Sequence, residues 1–347
     1  MHAILVKQPG DLDVLEYTEI PDPQPAPHEV VAKVYRCGVC FHDLVTRNGT
    51  LKAGVSMPCV LGHEVAGEVV AVGSAVGDFR IGQRIATTQR SAICGQCRFC
   101  RSGYEALCPK RVFMGDHGYN GGYAQYLAVD AKCVAAIPDG VSYESAAIAS
   151  CAIGTGLNAI RDVGRVRMGD TVLITGAGGG LGVHAIQLAR LAGAWVIAQT
   201  TSPDKVSQLK ELGADEVVTS VRSEDFSGQV RELTQGRGVD VIVDNVGTPL
   251  FAPTRKSLAI QGRWLLIGQL SGEFVPFNPA QLFLKNQSML SVTSTSRRQL
   301  EDVLQLLALG KVQACIDRTY PLAQASQAHA RLATGEALGR QLLAPHD

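Results

Sequence analysis

The chain has 347 residues, 46% apolar and 18% charged, with 32 Lys plus Arg against 32 Asp plus Glu. That length allows about two domains with cores of their own, and the composition excludes extensive disorder. Zero net charge gives no whole-molecule field toward nucleic acid or an anionic membrane, so neither is an expected partner. No apolar run approaches the roughly 18 residues that span a bilayer. Residues 1–7 read as a first strand and not as a cleavable leader, and a cytoplasmic location is expected.

Short β-type runs broken by turn residues occupy the first 150 residues, at 30–34, 68–72 and 123–127. They predict a mostly β domain with a barrel-like core. Within it, Cys94, Cys97, Cys100 and Cys108 crowd into fifteen residues with spacing C-x2-C-x2-C-x7-C. Four thiolates on one short loop can close a tetrahedron around zinc and leave no open position for substrate. An iron–sulfur cluster is compatible with the same spacing, and four free thiols on a loop is the plain alternative. A second set of metal-type residues is scattered: Cys37, Cys40, His42, Asp43, His63, Glu64 and Cys151. A catalytic zinc wants three protein ligands and an open position, but each of these residues alone could equally be core.

The pattern changes near residue 150. Thr171–Thr175 is a buried-strand run, followed by a glycine cluster and a helix to about Ala192; further strands are expected at Trp195–Thr200, Glu216–Thr219, 239–245, 263–268 and 289–293. This alternation predicts a parallel sheet covered by helices, inserted into the β-rich domain, whose last piece (a helix near 300–309 and closing strands) is the C-terminus. The glycine turn follows a strand and opens a helix, so backbone N–H groups at the helix start can meet a pyrophosphate. At the end of the second strand, where a binder of NAD places Asp or Glu for the ribose, stands Thr200. Without that carboxylate a 2′-phosphate meets no repulsion, and Thr201, Ser202 and Lys205 can donate to it. NADP(H) is therefore expected over NAD(H). Asp204 is read as a first-turn helix residue.

Gly38-Val39-Cys40-x-x-Asp43, Gly62-His63-Glu64-x-x-Gly67, the four-cysteine loop and the glycine turn 176–182 occur in the order and spacing of one family. In these motifs the whole chain resembles zinc alcohol dehydrogenases of the medium-chain superfamily. The resemblance implies an α/β protein: a β-rich GroES-like barrel catalytic domain over 1–150, completed by 295–347, and a doubly wound parallel-sheet Rossmann NAD(P)-binding domain over 151–294. It implies two zinc ions per chain, with Cys40, His63 and Cys151 as ligands of a catalytic zinc and Cys94, Cys97, Cys100 and Cys108 of a structural one. Glu64 would stand beside the catalytic metal or exchange onto it, Asp43 would fix the His63 ring, and Cys37 would be packing.

For the cofactor the resemblance implies Gly176, Gly179, Gly180, Leu181 and Gly182 at the pyrophosphate, Thr155 and Gly268 near the nicotinamide, and Arg340 on the pyrophosphate; an ordinary surface charge is the alternative for Arg340. The chain departs from the family two residues after Cys40, where many members carry a hydroxyl and this one carries His42; a relay histidine found three further along in some members is Val45 here. His42 could accept the alcohol proton, since an imidazole titrates near neutral pH, or line the pocket. Arg90 could meet an anionic substrate group or simply be solvated. The expected activity is hydride transfer between a small alcohol or aldehyde and NADP(H), by a homotetramer or homodimer. Archaeal acryloyl-CoA reductases of the same superfamily are also resembled, around Cys40–Leu44, the 182–187 helix and Thr200–Ser202, and make enoyl-thioester reduction the alternative. A nucleotide-binding or zinc-scaffold protein without catalysis is the remaining one.

Overall fold

The computed structural model describes residues 1–221 and 224–347. The chain forms two compact units, Met1–Gly154 with Ser294–Asp347, and Thr155–Thr293.

The first unit is built on the long strand Glu29–Val39. It pairs antiparallel with Val65–Val72, with Tyr126–Asp130 and with the C-terminal strand Arg340–Ala344. Arg84–Thr87 and Val134–Ala136 extend the sheet at one end, and Ile316–Pro321 at the other. Val30, Ala32 and Val34 alternate onto the core. An irregularity in pairing with Val65–Val72 then falls between Val34 and Arg36. An extra residue reverses which face each later side chain takes, so Cys37 and Val39 now enter the core and Gly38 and Cys40 turn to the other face. The strand thus ends by delivering Cys40 away from the apolar interior, and the helix Phe41–Arg47 starts there. A second sheet, Glu16–Glu19, His2–Val6, Ser56–Val60 and His117–Gly118, completes the β-rich unit.

In the second unit six parallel strands lie in the order Glu216–Thr219, Trp195–Thr200, Thr171–Thr175, Val239–Asp244, Leu258–Leu266, Ser288–Ser291. Counted along the chain this is 3-2-1-4-5-6, the doubly wound dinucleotide-binding order. Its core holds Leu173, Ile197, Phe226, Ile242 and the fully buried Trp264. The Trp264 indole N–H donates to Asp244 at 3.0 Å. The last two strands begin earlier than sequence runs indicated, at Leu258 and Ser288; the fifth takes in residues 258–260 ahead of the polar Gln261 and of Gly262, across an irregularity in its pairing with Val239–Asp244. Among the described residues no helix is long and apolar enough to cross a membrane.

Candidate active site and metal centres

Cys94, Cys97, Cys100 and Cys108 bring their sulfurs within 4.8 Å of one another. Gly95 and Gly103, at φ +73° and +78°, make the turns that aim them. Amide donors at Gln96 and Cys97 hold the Cys94 thiol down, to about 6, favouring the thiolate a metal needs. A closed set of four sulfurs fits a structural zinc site.

The second cluster is assembled from three places in the chain. Cys40 comes from the end of Glu29–Val39, His63 and Glu64 from the residues before Val65–Val72, and Cys151 from the segment Ala149–Gly154. That segment carries a wide helical turn, with Ile153 N–H donating to Ile148 C=O, an irregularity that often marks functional sites. Their ligand atoms also lie within 4.8 Å of one another, and all four residues are buried. The Cys151 thiol 3.9 Å away holds Cys40 well below the ordinary thiol range, while the same pairing and burial push Cys151 up. One thiolate is ready for a metal, and the second proton leaves as the metal enters. Burial opposes a charged His63, but Asp43 outweighs it: Oδ1 lies 3.2 Å from Nδ1, which leaves Nε2 toward the sulfurs. Two sulfurs and one imidazole, with no fourth sulfur to close the set, fit a three-ligand zinc site.

Glu64 is fully buried, and burial raises its carboxyl to about 7. Arg340 Nη2 lies 2.9 Å from Oε1, an ionic contact without hydrogen-bond alignment, so both carboxylate oxygens lack a hydrogen-bond partner among the described residues. Such orphaned oxygens beside the ligand set are what an exchanging metal contact would leave. The strand register explains Arg340: Gln341 pairs with Val39, so the preceding residue arrives beside Cys40. Its guanidinium, 3% exposed, also donates to Cys151 Sγ at 3.7 Å. Arg340 is thus not the surface charge of the alternative reading: it is buried and engaged inside the metal cluster.

Asp43 accepts from Cys40 N–H at 2.8 Å, Gly62 N–H at 3.2 Å and the Tyr123 hydroxyl at 3.2 Å. His42 stands beside the cluster, its ring edge-on to His63 and tilted on Phe113. Its Nε2 is 2.9 Å from Asp116 Oδ1. Asp116 lies 74 residues away, and no motif pointed to it. Arg90 corrects the reading of it as a solvated charge. It is 1% exposed, and its guanidinium donates to Ser294 Oγ at 2.9 Å and to the Thr295 carbonyl.

In the second unit the glycine turn sits at the C-terminal end of Thr171–Thr175, where the strand order reverses and doubly wound folds bind ligands. Gly176 has φ +58°, and a side chain at Gly182 would lie 2.5 Å from the Gly176 carbonyl. Gly179 and Gly180 complete the turn, and Leu181 caps the helix Gly182–Leu191. Lys205 is buried and crosses the turn so closely that a side chain at Gly178 would meet its Cδ at 2.8 Å. Thr200 closes its strand, its hydroxyl accepting from Ser202 N–H at 3.2 Å; Thr201 is exposed and Ser202 half-buried. Asp204 lies in the first turn of the short helix Pro203–Lys205. Gly268 stands two residues beyond Leu266, its Cα side against the Asn245 carbonyl, where a side chain would lie 2.3 Å away. Thr155 is buried at the start of its short helix. A cradle of bare backbone under a buried cation fits a dinucleotide pyrophosphate.

Known proteins share this arrangement. An alcohol dehydrogenase GroES-like domain matches residues 26–139 and a zinc-binding dehydrogenase domain residues 180–309. The acryloyl-coenzyme A reductase of Metallosphaera sedula is 33% identical over 348 residues, 99% of each chain. An alcohol dehydrogenase of Geobacillus stearothermophilus is 31% identical over 329 residues, 95% of this chain and 96% of that one. The solved structure of AibC is 42% identical with a TM-score of 0.92, covering 100% of this chain and 96% of that one. The chain belongs to the zinc-binding medium-chain alcohol dehydrogenase family of oxidoreductases.

Proposed function

We propose that the protein is a zinc-dependent alcohol dehydrogenase working with NADP(H), interconverting a small alcohol and its aldehyde or ketone. The observation that carries the reading is the buried Cys40–His63–Cys151 set with an acid–base pair, His42 and Asp116, beside it. When bound there, zinc supplies a Lewis acid that polarises a carbonyl oxygen or acidifies an alcohol. The nicotinamide carries the hydride, and the protein supplies alignment. His42 moves the substrate proton: Nε2–H is held by Asp116, so Nδ1 is the atom that takes and returns it. Asp43 fixes the His63 ring, and Glu64, already paired with Arg340, is the group that would exchange onto a bound metal.

Thr200 in place of an acidic residue, with Thr201, Ser202 and Lys205 close by, supports NADP(H). Thr155 and Gly268 flank the nicotinamide in this reading. Two zinc ions per chain, a cytoplasmic location and a homotetramer or homodimer joined along the edge strand Ser288–Ser291 belong to it as well.

The acryloyl-coenzyme A reductase relative, alike over 99% of each chain, favours a second reading: reduction of an α,β-unsaturated thioester, with His42 delivering the proton to carbon. A panel of aldehydes, ketones and acryloyl-coenzyme A, each with NADPH and NADH, separates the two. The expected result is NADPH oxidation with a carbonyl substrate. Turnover of the thioester alone overturns the first reading in favour of the second, and greater catalytic efficiency with NADH overturns the cofactor assignment.

A further inference from the structure

We propose that His329 is a positioning residue for the metal ligand His63, acting through a buried polar chain that runs His329–Tyr123–Asp43–His63, two hydrogen bonds followed by an ion-pair contact. The proposal rests on the reading of Cys40, His63 and Cys151 as a metal site.

The four groups come from separate parts of the fold. His329 lies on the helix Ala325–Thr334, Tyr123 precedes the strand Tyr126–Asp130, Asp43 is in the first turn of Phe41–Arg47, and His63 follows Ser56–Val60. The two hydrogen bonds measure 3.0 and 3.2 Å, the Asp43 Oδ1–His63 Nδ1 ion-pair contact is 3.2 Å without hydrogen-bond alignment, and no member is more than 1% exposed. Gly62, at φ +96°, lets the Tyr123 ring pack flush on the backbone; a side chain there would lie 2.5 Å from Tyr123 Cδ1.

The direction of each bond follows from what each group can do. An ionised Asp43 only accepts, and it already takes the N–H groups of Cys40 and Gly62. The single Tyr123 proton goes to Asp43 Oδ2. Tyr123 Oη must then accept from His329, which puts the His329 proton on Nε2. Burial holds His329 down, to about 4, so the ring is neutral and carries that one proton. Its Nδ1 is then bare, and it has no hydrogen-bond partner among the described residues. A bare ring nitrogen costs less to bury than an unpaired N–H.

Packing alone does not call for a histidine at this position. The ring meets Tyr123 edge-on, with centroids 5.7 Å apart, a contact Phe would make as well. What only a donor adds is polarisation of the Tyr123 hydroxyl. Hydrogen bonds in a chain strengthen one another, so Tyr123 donates more strongly to Asp43. A firmly held Asp43 fixes the His63 Nδ1–H tautomer and leaves Nε2 for the metal.

His329→Phe in the full chain tests this. Direct partners of ligating histidines, here Asp43, are typically worth about 10- to 100-fold in metal affinity, and His329, two links beyond Asp43, should give roughly 2- to 5-fold. Chelator competition should show that loss at the open site, with the four-cysteine zinc retained. The visible bands of cobalt-substituted protein should shift, and His329→Gln, which restores a donor, should recover most of the affinity. Tyr123→Phe should lose at least as much, and the double variant no more than Tyr123→Phe alone, because both act through one bond. Parental affinity and spectrum in His329→Phe, or losses that multiply in the double variant, overturn the proposal. If His329→Phe does not fold, Tyr123→Phe and His329→Gln decide: parental affinity in the first, or an affinity in the second as low as in the first, overturns it. Parent protein with no metal bound at Cys40 and Cys151 overturns instead the metal reading beneath it.

Discussion

Gly38 is the backbone on which the open site closes. It donates its N–H to the Glu64 carbonyl at 2.8 Å, and a Cβ on it would stand 2.3 Å from Glu64 Oε2 and 2.9 Å from Glu64 Cβ. Both residues sit on paired strands or their ends, so Glu64 cannot retreat without parting the ladder. Gly38→Ala therefore overpacks a sealed site, which costs about 1–3 kcal/mol. If Glu64 yields and leaves Arg340 buried without its partner, a further 3–5 kcal/mol or so is lost. At roughly 2–4 °C per kcal/mol for a unit of about 200 residues, the overpacking alone lowers the melting temperature by roughly 2–12 °C. Differential scanning calorimetry measures this, and metal analysis should show zinc leaving the open site before the four-cysteine loop. Gly228→Ala is the control. It lies in the helix Ser227–Leu233, an added Cβ meets nothing within 4 Å, and the change should stabilise by about 0.4–1 kcal/mol. A Gly38→Ala protein that melts with the parent and keeps its zinc refutes the reasoning about Glu64.

Cys108→Ser should damage folding more than chemistry, because a structural zinc contributes folding free energy directly; a variant that folds like the parent but turns nothing over reverses that division of labour. Thr200→Asp should move preference toward NADH by adding a ribose acceptor and repelling a 2′-phosphate, read from kcat/KM for both cofactors; an unchanged ratio removes Thr200 from the assignment. His42→Ala should lower turnover by roughly 10² to 10⁴ with zinc content at the parental level, and parental turnover with a parental pH profile would make His42 pocket lining. The acid limb of stability should reflect His329, whose ring is depressed from 6.5 to about 4 by burial. Between those values the unfolded chain binds a proton the folded one refuses, so stability falls as pH falls, by at most about 3 kcal/mol. His329→Phe should flatten that part of an acid unfolding curve, and a curve superposing on the parent's counts against it.

The two kinds of site differ in how far the chain spells them out. Cys94, Cys97, Cys100 and Cys108 lie within one short loop, so local spacing alone limits what they can bind. The glycine turn is equally local: a strand, bare backbone and a helix start follow one another from Thr171 to Leu191. Cys40, His63 and Cys151 are far apart in sequence, and only the resemblance grouped them; in the fold, strand pairing brings Cys40 and His63 together, with the irregularity near Val34 turning Cys40 out of the core, and the helical segment Ala149–Gly154 adds Cys151. Short apolar runs place the parallel strands but start the fifth too late, because the polar Gln261 and the adjoining Gly262 interrupt a strand that begins at Leu258. Tertiary structure alone decided the partners of the functional side chains. Register between Gln341 and Val39 carries Arg340 into the cluster, where the sequence offered a phosphate contact or a surface charge. Asp116 reaches His42, Tyr123 and His329 reach Asp43, and Arg90 turns inward to Ser294 and Thr295. Each of these is a polar group whose burial demands a partner, and which partner it finds depends on chain packing that no local pattern records.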